Sequence, residues 1–301
     1  MILKNFGRTL IFPIDNMNQQ KSFENDAPTL YIVATPIGNL SELTPRAKEV
    51  LESVDVIAAE DTRNTMKLLS HFQISTHLIA HHKFNETASS KGIIQLLQEG
   101  KDVAVVSDAG YPLISDPGSE LVRLVIDAGY PVVPISGSNA MLNALVASGL
   151  SPQPFLFYGF LPSNERQRIK ELQSLKHQPM TLIFYEAPHR IEKMLTNCLE
   201  VLGDRPMCLA RELTKKHEEF LRGTIREVLQ EAANRKGEMV VLIAGHEEDK
   251  EQDVTQAMPL LKDHIQNYIS EGMSTNEAIK RVARERGLSK NEIYKEYHGL
   301  N

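Results

Sequence analysis

An α/β architecture is predicted for this chain: two domains built on mostly parallel sheets with helices on both faces, followed by a small all-helical appendage. Three observations predict it. From residue 29 onward, short apolar stretches alternate with segments of helical spacing, the order that builds parallel sheets. The stretches are apolar on both faces, as strands covered from two sides are, and too short for buried helices. Helix-start signals fall between them. With 301 residues, 42% of them hydrophobic and 24% charged, the chain is long enough for two cores.

Residues 1–28 are polar and lack periodicity, and they read as a flexible extension. Strands are expected at residues 30–34, 54–59, 103–107, 132–135, 155–158, 182–185, 207–210 and 239–243. Thr44-Pro45 opens the first helix, with Pro at its first position. Asp116-Pro117 opens another, whose stripe Leu121, Leu124, Val125 and Ala128 has helical spacing. Ala187-Pro188 opens a third, and Thr224 with Glu227 forms a capping box. A turn-rich connector at 148–154 divides an amino-terminal α/β domain (29–148) from a carboxyl-terminal one (149–246). The charged run 246–253 reads as a solvated linker. Beyond it, residues 257–301 read as a helix-turn-helix-like tail, with capping boxes at Ser274/Glu277 and Ser289/Glu292 around Gly287. From residue 272 onward, six Lys and Arg face four Glu, so the tail is slightly basic inside a chain of net charge −6.

That negative balance argues against a dedicated binder of naked nucleic acid. Cys198 and Cys208 lack CxxC spacing and read as reduced fillers. The amino-terminal apolar run is broken by Asn5, Arg8 and Pro13, and no run approaches the ~20 residues needed to span a bilayer. A cytoplasmic protein is expected. The usual nucleotide and hydrolase signatures are missing: there is no G-x-G-x-x-G after a strand, no P-loop, no G-x-S-x-G and no H-E-x-x-H. His81-His82 has no carboxylate or Cys at metal-ligand spacing, so no metal is expected.

What remains is a set of polar loops, each at a strand's carboxyl end, where open α/β sheets bind ligands. They are 35–40, 60–63, 107–118, 136–140, 185–190 and 211–217. Six such loops together point to a cleft between the two domains. Asp108 can accept hydrogen bonds from ligand hydroxyl or amino groups.

The loops carry T-P-I-G-N-L-x-x-L-T-x-R-A, A-x-E-D-T-R, S-D-A-G-x-P-L-I-S-D-P-G, G-F-L-P, Y-E-A-P-H-R-I and R-E-L-T-K-K-H-E, in that order. Over roughly residues 29–245 the chain resembles the small-subunit ribosomal RNA (cytidine 2′-O) ribose methyltransferases of the tetrapyrrole methylase superfamily. The resemblance implies a two-domain methylase with S-adenosylmethionine in the cleft, a homodimer, and the small ribosomal subunit or its RNA as partner. It assigns cofactor contacts to Pro36, Ile37 and Gly38, to Asp108, Ala109 and Gly110, and to Ile114 and Ser115. It adds Ser138, Asn139 and Ala140, with Tyr185 and Ala210 from the second domain. Two departures stand out: Ser136 replaces a common proline, and His82-Lys83-Phe84-Asn85 stands where H-E-H-N is frequent.

Methyl transfer to a ribose hydroxyl needs alignment, exclusion of water and removal of a proton. Glu60 and Asp61 are the catalytic candidates, with Arg63 placed to orient a carboxylate or hold a phosphate. Glu186 and Glu212 are alternatives, and Lys215 or Lys216 would serve only with a depressed pKa. Asp61 also reads as a simple helix cap. Arg63, Arg190, Arg211, Lys215 and Lys216 are expected to position RNA, together with the tail. The same fold and cofactor would also serve a tetrapyrrole carbon or a modified protein side chain. A nucleic-acid-binding regulator would need base-reading side chains that the tail does not evidently present.

Overall fold

The computed structural model describes residues 19–22, 24, 26–82, 84–116, 118–233, 235–247 and 260–299. Most of the expected amino-terminal extension, and the part of the expected linker from residue 248, lie outside the described residues. The described residues up to His246 form one compact unit, and those from Glu247 form a second.

The first sheet is made of β1 (Leu30–Val33), β2 (Val56–Ala59), β3 (His77–Ala80), β4 (Val103–Val106) and β5 (Val132–Ile135), in the order β3-β2-β4-β1-β5. Every pairing in it is parallel, with Ile57 opposite Ala104 and Ile32 opposite Val105. Strand periodicity sends Val33, Ile57, Ala104 and Ile135 to one face, under α1 (Pro45–Ser53) and α2 (Thr62–His71). Ile32, Val103 and Val105 go to the other, against Ile93 and Leu97 of α3 (Glu86–Gln98) and Leu121 and Val125 of α4 (Ser119–Asp127). Each such fully buried aliphatic side chain stabilises the fold by about 1.5–3 kcal/mol. β3 escaped sequence reasoning because it lies at the sheet edge, with His77 and Ala80 exposed, and its apolar run is only Leu78-Ile79-Ala80.

Of the three proline-marked helix starts, two follow the sequence signals and one does not. Thr44 accepts from the Ala47 amide at 3.1 Å, with Pro45 opening α1. α4 begins at Ser119 rather than at Asp116-Pro117, with Gly118 at φ +121° as its cap. The preceding loop bends through positive φ at Leu113 and Ser115, and Asp116 ends up in a cavity instead of capping the helix. Ala187-Pro188 opens a short 3-10 turn, Pro188–Arg190, that leads into α7 (Ile191–Leu202).

The second sheet contains β6 (Phe155–Phe160), β7 (Thr181–Glu186), β8 (Pro206–Arg211), β9 (Glu219–Thr224) and β10 (Met239–Ile243), in the order β6-β7-β10-β8-β9. Here the expectation of parallel pairing holds only for β6 with β7; the other three pairings are antiparallel. The β8–β9 connection is too short for a parallel crossover, which takes a dozen residues or more. β9 is a half-exposed edge strand carrying Arg222 and Gly223, which hides it from a hydrophobic pattern. α6 (Glu165–Leu175), α7 and α8 (Ile225–Glu231) cover one face through Leu172, Met194, Leu195 and Val228. The other face is covered by α5 (Ala140–Ser148), the last helix of the first expected domain. Its Ala144 and Leu145 pack on Ile183, Cys208, Ala210, Val240 and Leu242, and Ile37 joins the same cluster. The loop after β1 is thereby clamped against the second sheet.

The second unit has three helices among the described residues: α9 (Leu261–Ser270), α10 (Thr275–Arg286) and α11 (Lys290–His298). Both capping boxes form, and Gly287 ends α10 at φ +66°. Ile265, Ala278, Ile279, Val282 and Ile293 make its core. No described helix is long and apolar enough to cross a membrane. Cys198 and Cys208 are free and buried.

Candidate active site

The carboxyl edge of the first sheet is stitched by hydrogen bonds between its own loops. Thr35 and Gly110 exchange amide-to-carbonyl hydrogen bonds of 2.9 and 3.0 Å, and the Thr35 hydroxyl donates to the Ser107 carbonyl at 3.1 Å. Gly110 sits at φ +80°, a conformation side chains resist, while its surroundings would leave ordinary space for a Cβ. At Gly137 the reason is space: a Cβ there would lie 2.9 Å from the Ala34 Cβ and 3.1 Å from the Ala34 carbonyl oxygen.

Between this edge and the second sheet lies a cavity of about 380 Å³. Because β10 runs antiparallel, its amino end lies beside the carboxyl ends of β7 and β8, with Met239 opposite both Glu186 and Arg211. Glu238, Met239 and Val240 therefore join the lining, which a search of strand carboxyl ends alone misses. Tyr111, Asp116, Phe160, Ala187, Pro188 and Leu213 also line it without having been assigned a role. All but Tyr111 belong to the quoted motifs, so motif membership was the available signal.

The cavity is acidic on one side. Glu60, Asp108 and Asp116 line it, and Asn64 Nδ2 donates to Asp108 Oδ2 at 3.0 Å. Burial, with the Asp108 and Asp61 charges, holds the Glu60 carboxyl above its ordinary range. Burial, aided by Glu60 and Asp108, pushes Asp116 up to about 6. The other side is mainly apolar and aromatic, with Glu238 beside it. Tyr185 meets Phe157 and Phe160 edge-to-face at 5.0 and 5.6 Å, and burial raises its phenol. Carboxylates facing an apolar, aromatic wall suit a small organic cation that carries a flat ring, and the size is typical of ligand sites.

Of the residues singled out from the sequence, Ile37, Glu60, Asp108, Ala109, Gly110, Ile114, Ser115, Asn139, Ala140 and Tyr185 line this one cavity. Asn139 also caps α5, accepting from the Leu142 amide at 2.9 Å. Pro36, Gly38, Ser138 and Ala210 do not line it. Pro36 and Ala210 are buried, Ser138 donates to Glu42 Oε2 at 2.9 Å, and Gly38 lies under the Lys215 stem.

Asp61 and Arg63 also lie off the cavity lining. Asp61 caps α2 and holds Arg63 through two side-chain bonds of 3.0 and 2.7 Å, which bring its carboxyl down to about 2. Glu186 borders the cavity, but strand alternation places its carboxylate with Leu182 and Phe184 on the helix-facing side. There it accepts from the Ala187 amide at 2.8 Å and lies 3.2 Å from Arg190 Nε. Glu212 bonds Lys215 Nζ at 3.0 Å. Burial works to lower the Lys215 pKa, but Glu212 and Glu238 outweigh it and the net shift is upward, so the condition for a lysine base is not met. Arg211 pairs with Glu219, and Arg190 donates to the Leu161 carbonyl at 2.7 Å. Lys216 and Arg63 are exposed. Among the described residues, no group of three or more His, Cys, Asp and Glu is placed to hold a metal ion.

Two sheets joined over a cleft at their strand edges recur in solved methyltransferases. The chain superposes with a TM-score of 0.55 on a cobalt precorrin-4 methyltransferase, at 16% identity over 72% of this chain and 94% of that one. A uroporphyrin-III C-methyltransferase from Thermus thermophilus, solved with S-adenosylhomocysteine, matches with a TM-score of 0.52 and 18% identity, over 71% and 96% of the two chains. The family model for tetrapyrrole (corrin/porphyrin) methylases matches residues 29–229, and the chain belongs to that family. Within it, the chain is 48% identical over 288 residues to the ribosomal RNA small subunit methyltransferase I of Bacillus subtilis, covering 94% of this chain and 99% of the relative.

Proposed function

We propose that this methyltransferase moves the methyl group of S-adenosylmethionine to the ribose 2′-hydroxyl of a cytidine in the decoding region of small-subunit ribosomal RNA. It does so in the cytoplasm, as a homodimer without a resident metal. One observation carries this reading. A chain 48% identical to a small-subunit ribosomal RNA methyltransferase along nearly its whole length folds so that its motif loops border a single cavity, acidic on one side and aromatic on the other.

The residues present fit the cofactor. S-adenosylmethionine would supply an electrophilic methyl group on a sulfonium sulfur that keeps the carbon–sulfur bonding pair and becomes a neutral thioether. Glu60, Asp108 and Asp116 offset the positive charge of its sulfonium and ammonium groups. Ile37, Leu213, Val240 and the Tyr185 ring exclude water and hold the adenine side. Backbone groups of Ala109, Gly110, Ile114, Ser115, Asn139 and Ala140 complete the wall, while Pro36, Gly38, Ser138 and Ala210 brace it from behind.

Glu60 takes the proton of the 2′-hydroxyl as the oxygen–carbon bond forms. It borders the cavity, and its raised pKa makes it a better proton acceptor than Asp61, whose lone pairs are engaged by Arg63. Arg63 and Lys216, both exposed, meet phosphates at the rim. Arg190, Arg211 and Lys215, held by carboxylates of the chain itself, keep the second-sheet loops in place. A net charge of −6 suits docking on an assembled subunit better than capture of free RNA.

The test is to incubate the protein with radiolabelled S-adenosylmethionine and small subunits lacking their own modifications, then map the label. A label on a decoding-region cytidine ribose supports the reading. No label on the RNA, or label on a base or a protein, overturns it.

A further inference from the structure

Phe84 is 95% exposed, more than any other large hydrophobic side chain among the described residues. A fully hydrated phenyl ring forgoes burial, and this one stands on a turn held from several sides. The Asn85 side chain accepts from the His82 amide at 2.8 Å and donates to the Ala80 carbonyl at 3.1 Å, and the Asn85 amide closes the turn on the His82 carbonyl at 2.9 Å. The His81 amide donates to the Ala59 carbonyl at 2.8 Å, tying the turn to the end of β2, next to Glu60. Immediately after the turn, Glu86 Oε1 accepts from the Gly118 amide at 2.8 Å, which anchors it to the loop that carries Ile114, Ser115 and Asp116 into the cavity. The His82 ring lies edge-on to Phe84 at 6.2 Å.

The framework therefore presents an aromatic face to solvent at the same sheet edge as the cavity. Arg63, its side chain 85% exposed, stands in the first turn of α2, which follows the neighbouring strand β2. A nucleotide that delivers its ribose to a cleft must leave its stack, and proteins that read single-stranded RNA replace the lost stacking with aromatic side chains. We propose that Phe84 is a stacking platform for an unpaired base of the RNA substrate, beside the nucleotide whose ribose enters the cavity. This rests on the ribosomal RNA reading above. Stacking asks only for a π face, so His, Tyr or Trp at this position serves the same purpose.

The experiment uses the full chain, undermethylated small subunits and labelled S-adenosylmethionine. Replacing Phe84 by Ala or Leu raises KM for the subunit about 5- to 150-fold, the usual weight of one base–aromatic stack. Tyr, Trp and His variants stay close to wild type, and cofactor affinity by calorimetry does not move in any variant. Because the ring touches so little of the fold, all the variants remain folded, and a melting curve for each checks this. A Phe84→Ala protein with wild-type KM overturns the proposal. A Phe84→Leu protein as good as Phe84→Tyr also overturns it, since that result describes an apolar contact with a ribosomal protein. If the wild-type protein labels no RNA at all, the functional reading falls, and this inference with it. A wild-type protein that labels the RNA, with Ala and Tyr variants alike, sinks the inference alone.

Discussion

Replacing Asp116 by Asn is expected to stabilise the protein above neutrality while weakening its hold on the cofactor. The folded carboxyl titrates at about 6 against an ordinary 3.8, because burial disfavours its charge and Glu60 and Asp108 repel it. About two units at ~1.4 kcal/mol each set an upper bound near ~3 kcal/mol. The group is only half-buried, and solvent screening brings the figure to about 1–2 kcal/mol. The direction follows from linkage: a raised carboxyl pKa means the folded state binds the proton more tightly. Stability from that proton is present below about pH 4 and is lost as pH rises through about 6. Asn cannot ionise and shows no such loss. Differential scanning calorimetry at pH 8 should therefore place the variant about 2–8 °C above wild type, at about 2–4 °C per kcal/mol for a domain of this class, with the gap closing toward pH 4. Calorimetric titration with S-adenosylmethionine at pH 8 should show about tenfold weaker binding, since one of the carboxylates lining the cavity is gone. Parallel pH–stability curves for the two proteins would refute the assignment of a strained carboxylate, and unchanged affinity would refute its role toward a cationic ligand.

Glu60→Gln should lower the single-turnover methylation rate at saturating cofactor by about 10²–10⁴ and also weaken cofactor binding about tenfold, as Asp116→Asn does, whereas Asp61→Ala should leave both nearly unchanged and lower only the melting temperature. Equal rates for Glu60→Gln and wild type would exclude Glu60 as the proton acceptor. Gly137→Ala crowds Ala34 across the 2.9 Å gap and should cost about 1–3 kcal/mol in urea unfolding, while displacing the Asn139–Ala140 wall enough to weaken cofactor binding. Arg190→Ala leaves the buried Glu186 carboxylate with only Arg168 and His189 acting on it and should cost about 2–4 kcal/mol. Adding Glu186→Gln to that variant should recover part of the loss; a double variant no more stable than Arg190→Ala would show that the charge was not the cause.

The chain's local chemistry was legible where a residue's neighbours in sequence are also its neighbours in space. Val103–Val106 reads as a doubly covered strand because it is one, and Thr44, Thr224, Ser274 and Ser289 cap the helices that follow them by contacts three residues long. The motif loops could be placed at strand ends, and ten of the residues taken from them converge on one cavity, because parallel strands deliver their carboxyl ends to a common edge. Asp61 shows the limit. Its motif suggests chemistry, yet an Arg two residues on takes up both of its oxygens.

Pattern alone determined the α/β class, the all-helical tail and the set of polar corners from which a binding cleft could be built. Tertiary structure decided which of those corners are chemical. The insertion of β10 between β7 and β8 brings Glu238 to Val240 into the lining, and alternation along β7 turns the Glu186 carboxylate away from it. Packing of the Asp116 loop turns an expected helix cap into a half-buried acid. Each of these depends on groups distant in sequence sharing one low-dielectric space. Charge, burial and direction there are set by which strands become neighbours, and no local pattern encodes that.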